Sequence, residues 1–142
     1  MAAANGEKES GRHGVVAVIR EADRFLVIRR SEFVKAPNLL CFPGGGIEPG
    51  EDFETALHRE LMEELSMTVT FREHLWTSVT RWGTKLEWMA CDRIPGSTPV
   101  PSPAEVAEVM WMHEAELLGR DDLLGSIPDF FAAVQTGVVR LQ

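Results

Sequence analysis

Residues 44–65 read GGGIEPGEDFETALHRELMEEL, three glycines followed by a turn and a short amphipathic run. In IEPG (47–50), Pro49 and Gly50 take the two central positions of a type II turn. Asp52 is placed to cap a helix over residues 53–65. Leu57, Leu61 and Leu65 recur every four residues, so this helix carries an apolar stripe that must be buried against another layer. Glu60, Glu63 and Glu64 stand beside that stripe. At the helical angle per residue they project within about 100° of one another. Like charges at these spacings repel by roughly 0.2–0.5 kcal/mol per pair in water, and partial burial raises the cost further. A hard divalent cation reverses the sign, because Mg²⁺ takes oxygen ligands from a few carboxylates, water and substrate phosphate. Three glutamates alone would read as a solvated acidic face, and a triglycine alone as a flexible turn. Together they point to a metal site, since glycines let backbone approach a ligand closely and the carbonyl of Gly44 or Gly45 could complete the shell.

The rest of the chain supplies strands for that helix to pack on. GVVAVIRE (14–21) and FLVIRR (25–30) are strand candidates joined through Ala22-Asp23-Arg24. SEFVKAPN (31–38) reads as a loop and LLCF (39–42) as a short strand. Residues 67–81 alternate imperfectly, as one long or bent strand, and turn through TRWGTK (80–85) into LEWMACDR (86–93). The proline-rich IPGSTPVPSP (94–103) is a loop, EVAEVMWM (105–112) a last strand, and AELL (115–118) a short helical turn. Ser126-Ile127-Pro128-Asp129 resembles a capping box opening a helix to about Gln135. Strands and helices mix without regular βαβ alternation, which predicts an α+β fold, a curved mixed sheet between helices. Residues 1–12 read as a disordered tail and 13–142 as one folded domain.

The net charge of −8 argues against a broad nucleic-acid-binding surface, and an anionic substrate then needs local cations or metal. Of the two cysteines, Cys41 and Cys91, neither lies in a CxxC pair, so buried free thiols in a reducing cytoplasm are expected. No apolar run approaches the ~20 residues that span a bilayer, and MAAANGEKESGRHG lacks an apolar signal core.

The acidic run resembles the Nudix box, G-x5-E-x7-R-E-U-x-E-E-x-G-U with U a bulky aliphatic residue. Gly45, Glu51, Arg59, Glu60, Leu61, Glu63 and Glu64 match it, and Met67 fills the last apolar position. The final glycine is Ser66, which puts the geometry of the helix-to-strand turn in doubt. FPGG (42–45) also fits, with Leu40 where a tryptophan is usual. The resemblance implies an α/β/α sandwich and a hydrolase of nucleoside diphosphates linked to another group X, acting with Mg²⁺ or Mn²⁺. It implies Glu60 and Glu64 as principal metal ligands, Glu63 as a third ligand or water contact, and Gly44 or Gly45 as carbonyl donor. Arg59 would orient a carboxylate, and Glu51 would pair with Arg59 or join the outer metal shell. Glu60 is the first candidate for general base, with Glu105 or Glu108 the alternative. Glu108 is favoured over Glu105 as a further metal ligand, because it sits within an apolar run where a charge needs a reason.

On the substrate side, Arg29 or Arg30 could reach a phosphate. Trp76 and Trp88 are placed to pair across a hairpin, while Trp82 at its turn could stack on a nucleobase. His74 and His113 suit surface or capping roles. The chain contains no tyrosine, which is often diagnostic in the dinucleoside polyphosphate group, and it lacks a proline near Trp82 that often marks ADP-ribose hydrolases. A MutT-like (d)NTP or modified-nucleotide pyrophosphatase remains by elimination. A nucleotide-sensing module without turnover, and hydrolases of ADP-ribose or of non-nucleoside diphosphates, are the alternatives. The intact carboxylate run argues against sensing alone. The implied partner is a small nucleotide-like molecule, not a nucleic-acid polymer or a membrane. The oligomeric state is left open, a homodimer included.

Overall fold

The computed structural model describes residues 12–142. The tail expected over 1–12 lies outside the described residues except for Arg12, whose carbonyl accepts the Lys85 N–H at 3.0 Å. In chain order the elements are β1 (His13–Glu21), β2 (Arg24–Arg30), β3 (Leu40–Cys41), β4 (Gly44–Gly46), α1 (Phe53–Leu65), β5 (Val69–Val79), β6 (Lys85–Arg93), β7 (Val106–His113), α2 (Glu114–Leu118) and α3 (Ser126–Gln135).

β1 is central. It runs parallel to β6, from His13 opposite Lys85 to Ile19 opposite Cys91, and antiparallel to β2 and β4. The strand order is β3-β2-β1-β6-β5, with β4 also on β1 and β7 also on β2. Alternation along β1 divides the core in two. Val15, Ala17 and Ile19 face Leu57, Leu61 and Leu65 of α1. Val18 faces the opposite layer, built from Leu117 of α2, Ile127, Phe130 and Phe131 of α3, and Trp88. The expected mixed sheet between helices is therefore present. The three leucines of α1 are 0% exposed, and each contributes about 1.5–3 kcal/mol by its burial. Trp76 and Trp88 do pair across the hairpin, at 5.7 Å between ring centroids. β5 is bent, with register shifts at Phe71/Glu73 and His74/Trp76.

Three local expectations change. The triglycine is not a flexible turn but a strand, β4, sewn to β1 with Val16 opposite Gly44 and Gly14 opposite Gly46. Ser126 does not cap α3: the helix begins at Ser126, with Gly125 at the cap position and no side-chain cap bond. The cause lies upstream, where the Leu124 N–H bonds the Leu40 carbonyl at 2.9 Å and draws the chain inward before the helix starts. Ser66 ends α1 in the left-handed conformation (φ 47°, ψ 39°), its N–H turned back to the carbonyls of Leu61 and Met62. That is the conformation a glycine adopts without strain, so Ser66 keeps the turn at a cost of about 1–2 kcal/mol.

Under the start of α1 lies a polar knot that periodicity does not reveal. Glu87 is buried and accepts hydrogen bonds from His13 Nε2 (2.5 Å), His74 Nε2 (2.8 Å) and Thr77 Oγ1 (2.5 Å). Both imidazoles also pack on Phe53, the first residue of α1. Burial pushes the Glu87 carboxyl up, but the bonds from Thr77, His13 and His74 together outweigh it and hold it below the usual range. A depressed carboxylate stabilises above its unfolded value and loses that contribution as pH falls through its folded value. Glu87→Gln should therefore lower stability by about 1–3 kcal/mol at neutral pH. Thermal melts of the two proteins should converge as the pH is lowered below 4.5; a loss independent of pH would contradict the ionised knot.

Candidate active site

The carboxylates of α1 meet the triglycine strand because two glycines make room. Gly44 has φ +155°, and a Cβ there would stand 2.1 Å from the Val15 carbonyl oxygen. A Cβ on Gly45 would stand 2.3–2.6 Å from the Glu60 carboxylate atoms. Glu60 therefore lies directly on the β4 backbone, and the Gly44 N–H donates to Glu64 Oε1 at 2.9 Å. The turn predicted between these elements is formed, with the Glu51 N–H bonded to the Glu48 carbonyl at 3.0 Å and Gly50 at φ 83°. Asp52 caps the helix by accepting the Thr55 N–H at 2.8 Å.

Arg59 orders the cluster. It grips Glu51 with two bonds, Nε to Oε2 at 2.7 Å and Nη2 to Oε1 at 2.8 Å. Its Nη1 donates to Glu60 Oε2 at 3.0 Å and to Glu63 Oε1 at 3.1 Å, while Nη2 also reaches the Gly46 carbonyl at 2.8 Å. This fork geometry suits guanidinium and would be lost with lysine. Hydrogen bonding by Arg59, aided by the Glu48 N–H, holds the Glu51 carboxyl down to about 2. These five bonds engage all five donors of Arg59 with neighbouring protein groups.

The proline-rich loop brings in another carboxylate. Val100 and Ser102 donate backbone N–H bonds to the last carbonyls of α1, at Leu65 (2.7 Å) and Glu64 (2.8 Å). This delivers Glu105 to a small cavity of about 220 Å³ lined also by Glu60, Glu64, Arg30 and the three glycines. Glu108, favoured from sequence, does not join them. The β2–β7 register places it opposite Arg29, and a bulge between Arg29 and Arg30 separates these neighbours. Glu108 pairs with Arg29 at 3.2 Å, with its side chain 55% exposed. Arg29 is likewise turned away from the cluster, bonding the Asn38 carbonyl and Asp122. Arg30 faces the site.

Glu60 and Glu64 are 8% and 7% exposed. Burial raises the Glu60 carboxyl, with Arg59 opposing. Burial, against the Gly44 N–H bond and with help from Glu60 and Glu105, pushes Glu64 from 4.5 to about 8. Two neighbouring buried carboxyls that resist ionisation, with Glu105 and the β4 glycines lining the same cavity, are oxygen donors of the kind a hard cation takes. Among the described residues no group of three or more acidic, histidine or cysteine side chains is arranged to hold a metal ion.

A larger cavity of about 1150 Å³ adjoins this one, sharing Arg30 and Gly44–Gly46. Phe42 and Trp88 line it from the core, and Trp82 from the rim. Trp82 is 61% exposed, with the Arg81 guanidinium 4.6 Å over its ring, so it is not a core residue. Lys35 and Asp129 also line this cavity; the sequence marked Lys35 only as part of a loop and Asp129 only as the end of the expected capping box. Both cysteines are buried free thiols, pushed up by burial to about 11 at Cys41 and about 12 at Cys91.

A raised carboxyl stabilises the fold fully below its unfolded value and loses that as pH rises through its folded value. Each unit is worth about 1.4 kcal/mol, so ionising Glu64 costs on the order of a few kcal/mol. In metal-free protein, Glu64→Gln should match the wild type near pH 4.5 and melt several degrees higher near pH 8. A variant less stable than wild type at the upper pH would contradict the buried, unpaired carboxyl.

The NUDIX domain model matches residues 11–133. Over 93 residues the chain is 29% identical to the NAD-capped RNA hydrolase NudC of Deinococcus radiodurans, covering 66% of this chain and 32% of that protein. It is 44% identical over 54 residues to the 8-oxo-dGTP diphosphatase of Escherichia coli K12, covering 37% of this chain and 42% of that one. The chain thus spans about a third of the length of the NudC relative. Among solved structures, the MutT protein of Methanosarcina mazei Go1 superposes with a TM-score of 0.67 at 24% identity, over 89% of this chain and 94% of that one. A NUDIX hydrolase from Nitrosomonas europaea superposes at 0.71 and 19% identity, over 87% and 69%. Those two likenesses speak for the fold. The family model, spanning nearly the whole chain on top of the matching carboxylate motif, settles the wider relationship: this chain belongs to the NUDIX domain family.

Proposed function

We propose that the protein is a MutT-like pyrophosphohydrolase, hydrolysing with Mg²⁺ or Mn²⁺ a pyrophosphate bond in a (d)NTP or modified nucleotide. The observation that carries this reading is the buried Glu60–Glu64 pair lying on the triglycine strand and lining a small cavity that adjoins a larger one of about 1150 Å³. When bound, the divalent ion neutralises phosphate charge and lowers the pKa of water. Glu60 and Glu64 would hold it, with a β4 carbonyl from Gly44 or Gly45 and with Glu63, whose side chain is 49% exposed, at the outer edge. Arg59 would fix the direction of the Glu60 carboxylate through its 3.0 Å bond. Glu60, and Glu105 from across the small cavity, are the candidate bases for the attacking water. Arg30, shared by both cavities, is placed to take a phosphate oxygen. Little covalent work is left to such a site beyond positioning and charge stabilisation. The two inert thiols suit a reducing cytoplasm, and no described helix is long and apolar enough to cross a membrane.

A second reading has a specific observation behind it. At about 1150 Å³ the larger cavity exceeds the usual 300–1,000 Å³ range of small-molecule pockets. It would accept a bulkier X, and two curated relatives are NAD-capped RNA hydrolases.

A substrate panel with Mg²⁺ and product identification separates the readings. It should contain (d)NTPs, 8-oxo-dGTP, NADH, ADP-ribose, dinucleoside polyphosphates and a diphosphoinositol. The leading reading predicts nucleoside monophosphate and pyrophosphate from a nucleoside triphosphate. Turnover of NADH alone would favour the dinucleotide reading, and turnover of the diphosphoinositol alone would overturn both.

A further inference from the structure

Among the described residues, four polar or charged side chains are buried: Glu60, Glu64, Glu87 and Ser31. The first two belong to the carboxylate cluster, and Glu87 is held in the knot beneath Phe53. Ser31 follows Arg30 at the end of β2, is 2% exposed and has no part in either. It bonds instead to the segment that carries Glu105. The Ser31 N–H donates to the Glu105 carbonyl at 3.0 Å, and Oγ donates to the Ala104 carbonyl at 2.8 Å. Oγ also accepts the Phe33 N–H at 3.2 Å. The hydroxyl is thus used as donor and acceptor at once, which fixes its direction.

These bonds fall on a turn that does not fix its own direction. Ser102-Pro103-Ala104-Glu105 is closed from within, by the Glu105 and Val106 N–H groups on the Ser102 carbonyl at 2.9 and 2.8 Å. Pro103 takes the second position, where its ring favours such a turn. On one side the turn hangs on α1, through the Ser102 N–H bond to the Glu64 carbonyl at 2.8 Å. The carbonyls of Ala104 and Glu105 play no part in closing it, and Ser31 takes both. The other side is thereby tied to β2, one residue beyond Arg30. This tie extends the β2–β7 pairing past the bulge at Arg29/Arg30, where Arg30 stands opposite Val106. Bulges re-aim side chains beside active sites. Here the resumed register decides that Glu105, not Glu108, shares the small cavity with Arg30, Glu60 and Glu64.

We infer that Ser31 is a positioning residue of the cation site: by clamping two successive carbonyls it holds Glu105 at the small cavity beside Glu60 and Glu64. The inference rests on the divalent-cation reading above and deepens it, because it makes Glu105 part of the ion's surroundings and Ser31 the group that keeps it there. Three like charges around one small cavity repel, and the one carried on a loop is the one that can leave. An alanine at 31 keeps the N–H bond to Glu105 but leaves the Ala104 carbonyl without its donor. The turn is then free to rotate about its α1 anchor, and Glu105 swings out. Threonine keeps the hydroxyl and with it the clamp.

Titration of the metal-free full chain with Mn²⁺, followed by loss of the free-ion EPR signal, reads cation affinity without turnover. Ser31→Ala and Glu105→Gln should each weaken Mn²⁺ binding by about tenfold, the lower end of what the loss of an outer partner of a metal site costs. The double variant should bind within about threefold of Glu105→Gln alone, because the two residues act as one unit. Ser31→Thr should stay within about threefold of the wild type. Melting temperatures check that each chain folds. Should Ser31→Ala not fold, Ser31→Cys, of similar size and only a weak donor, takes its place. A Ser31→Ala chain that melts lower yet binds Mn²⁺ like the wild type would overturn the inference, leaving Ser31 a tie of the fold alone. So would an unchanged affinity in Glu105→Gln, or a double variant weakened by the product of the two single effects. Either result, with Mn²⁺ bound by the wild type and lost in Glu60→Gln/Glu64→Gln, leaves the cation site standing. A wild type that binds no Mn²⁺ would overturn the two together.

Discussion

Two carboxyl groups, Glu60 and Glu64, are held out of water beside each other on one helix, against a strand of three glycines. This arrangement is unfavourable in isolation, because burial disfavours each charge and proximity disfavours the second. Most of the surrounding structure can be understood as what holds it in place. Leu57, Leu61 and Leu65 press α1 onto the sheet with no exposed area, and in doing so carry the glutamates inward. Gly44 and Gly45 remove the side chains that would otherwise strike the Val15 carbonyl and the Glu60 carboxylate. Arg59 supplies the compensating cation at one side, and its grip on Glu51 keeps that cation from swinging to solvent. The loop that follows β6 bonds the carbonyl ends of α1 and adds Glu105. The apolar core provides the free energy, and the site draws on it.

How far the sequence could be read follows from which forces are local. The helix was legible because its cap, its turn and its leucine stripe all lie within a few residues of one another. The central strands were legible from their β-branched runs. The triglycine was not legible as a strand, since glycine has no strand propensity of its own and β4 exists only because β1 offers a partner. The capping role given to Ser126 failed for a similar reason: contacts of Leu124 with Leu40, far away in the chain, decided where α3 begins. Ser66 shows the reverse, a local rule broken and the turn kept, because helix and strand on either side over-determine it.

The site shows the same division. Arg59, Glu60, Glu63 and Glu64 share one helix, so spacing alone brings them together. Choosing between Glu105 and Glu108 required knowing the β2–β7 register and the bulge at Arg29/Arg30, neither of which periodicity can supply. The apolar run around Glu108 was a misleading signal, since an edge-facing glutamate can satisfy its charge with Arg29 at the surface. Likewise His13, His74 and Glu87 come from three strands, and only the sheet makes them a knot beneath Phe53. Asp129 reaches the larger cavity through the packing of α3, and its own sequence context marks it only as the end of an expected capping box.

The claim on which this account depends is that the buried pair is a cation site rather than a costly accident of packing. Thermal melting with and without millimolar Mg²⁺ tests it most directly, comparing the wild type with a Glu60→Gln/Glu64→Gln variant. An ion bound only by the folded state adds RT ln(1 + [L]/Kd) to stability, about 2.7 kcal/mol at a hundred times Kd. The wild type should melt several degrees higher with Mg²⁺, and the double variant should not respond. Equal shifts in the two proteins, or none in the wild type, would contradict the assignment of Glu60 and Glu64 as the metal-holding pair.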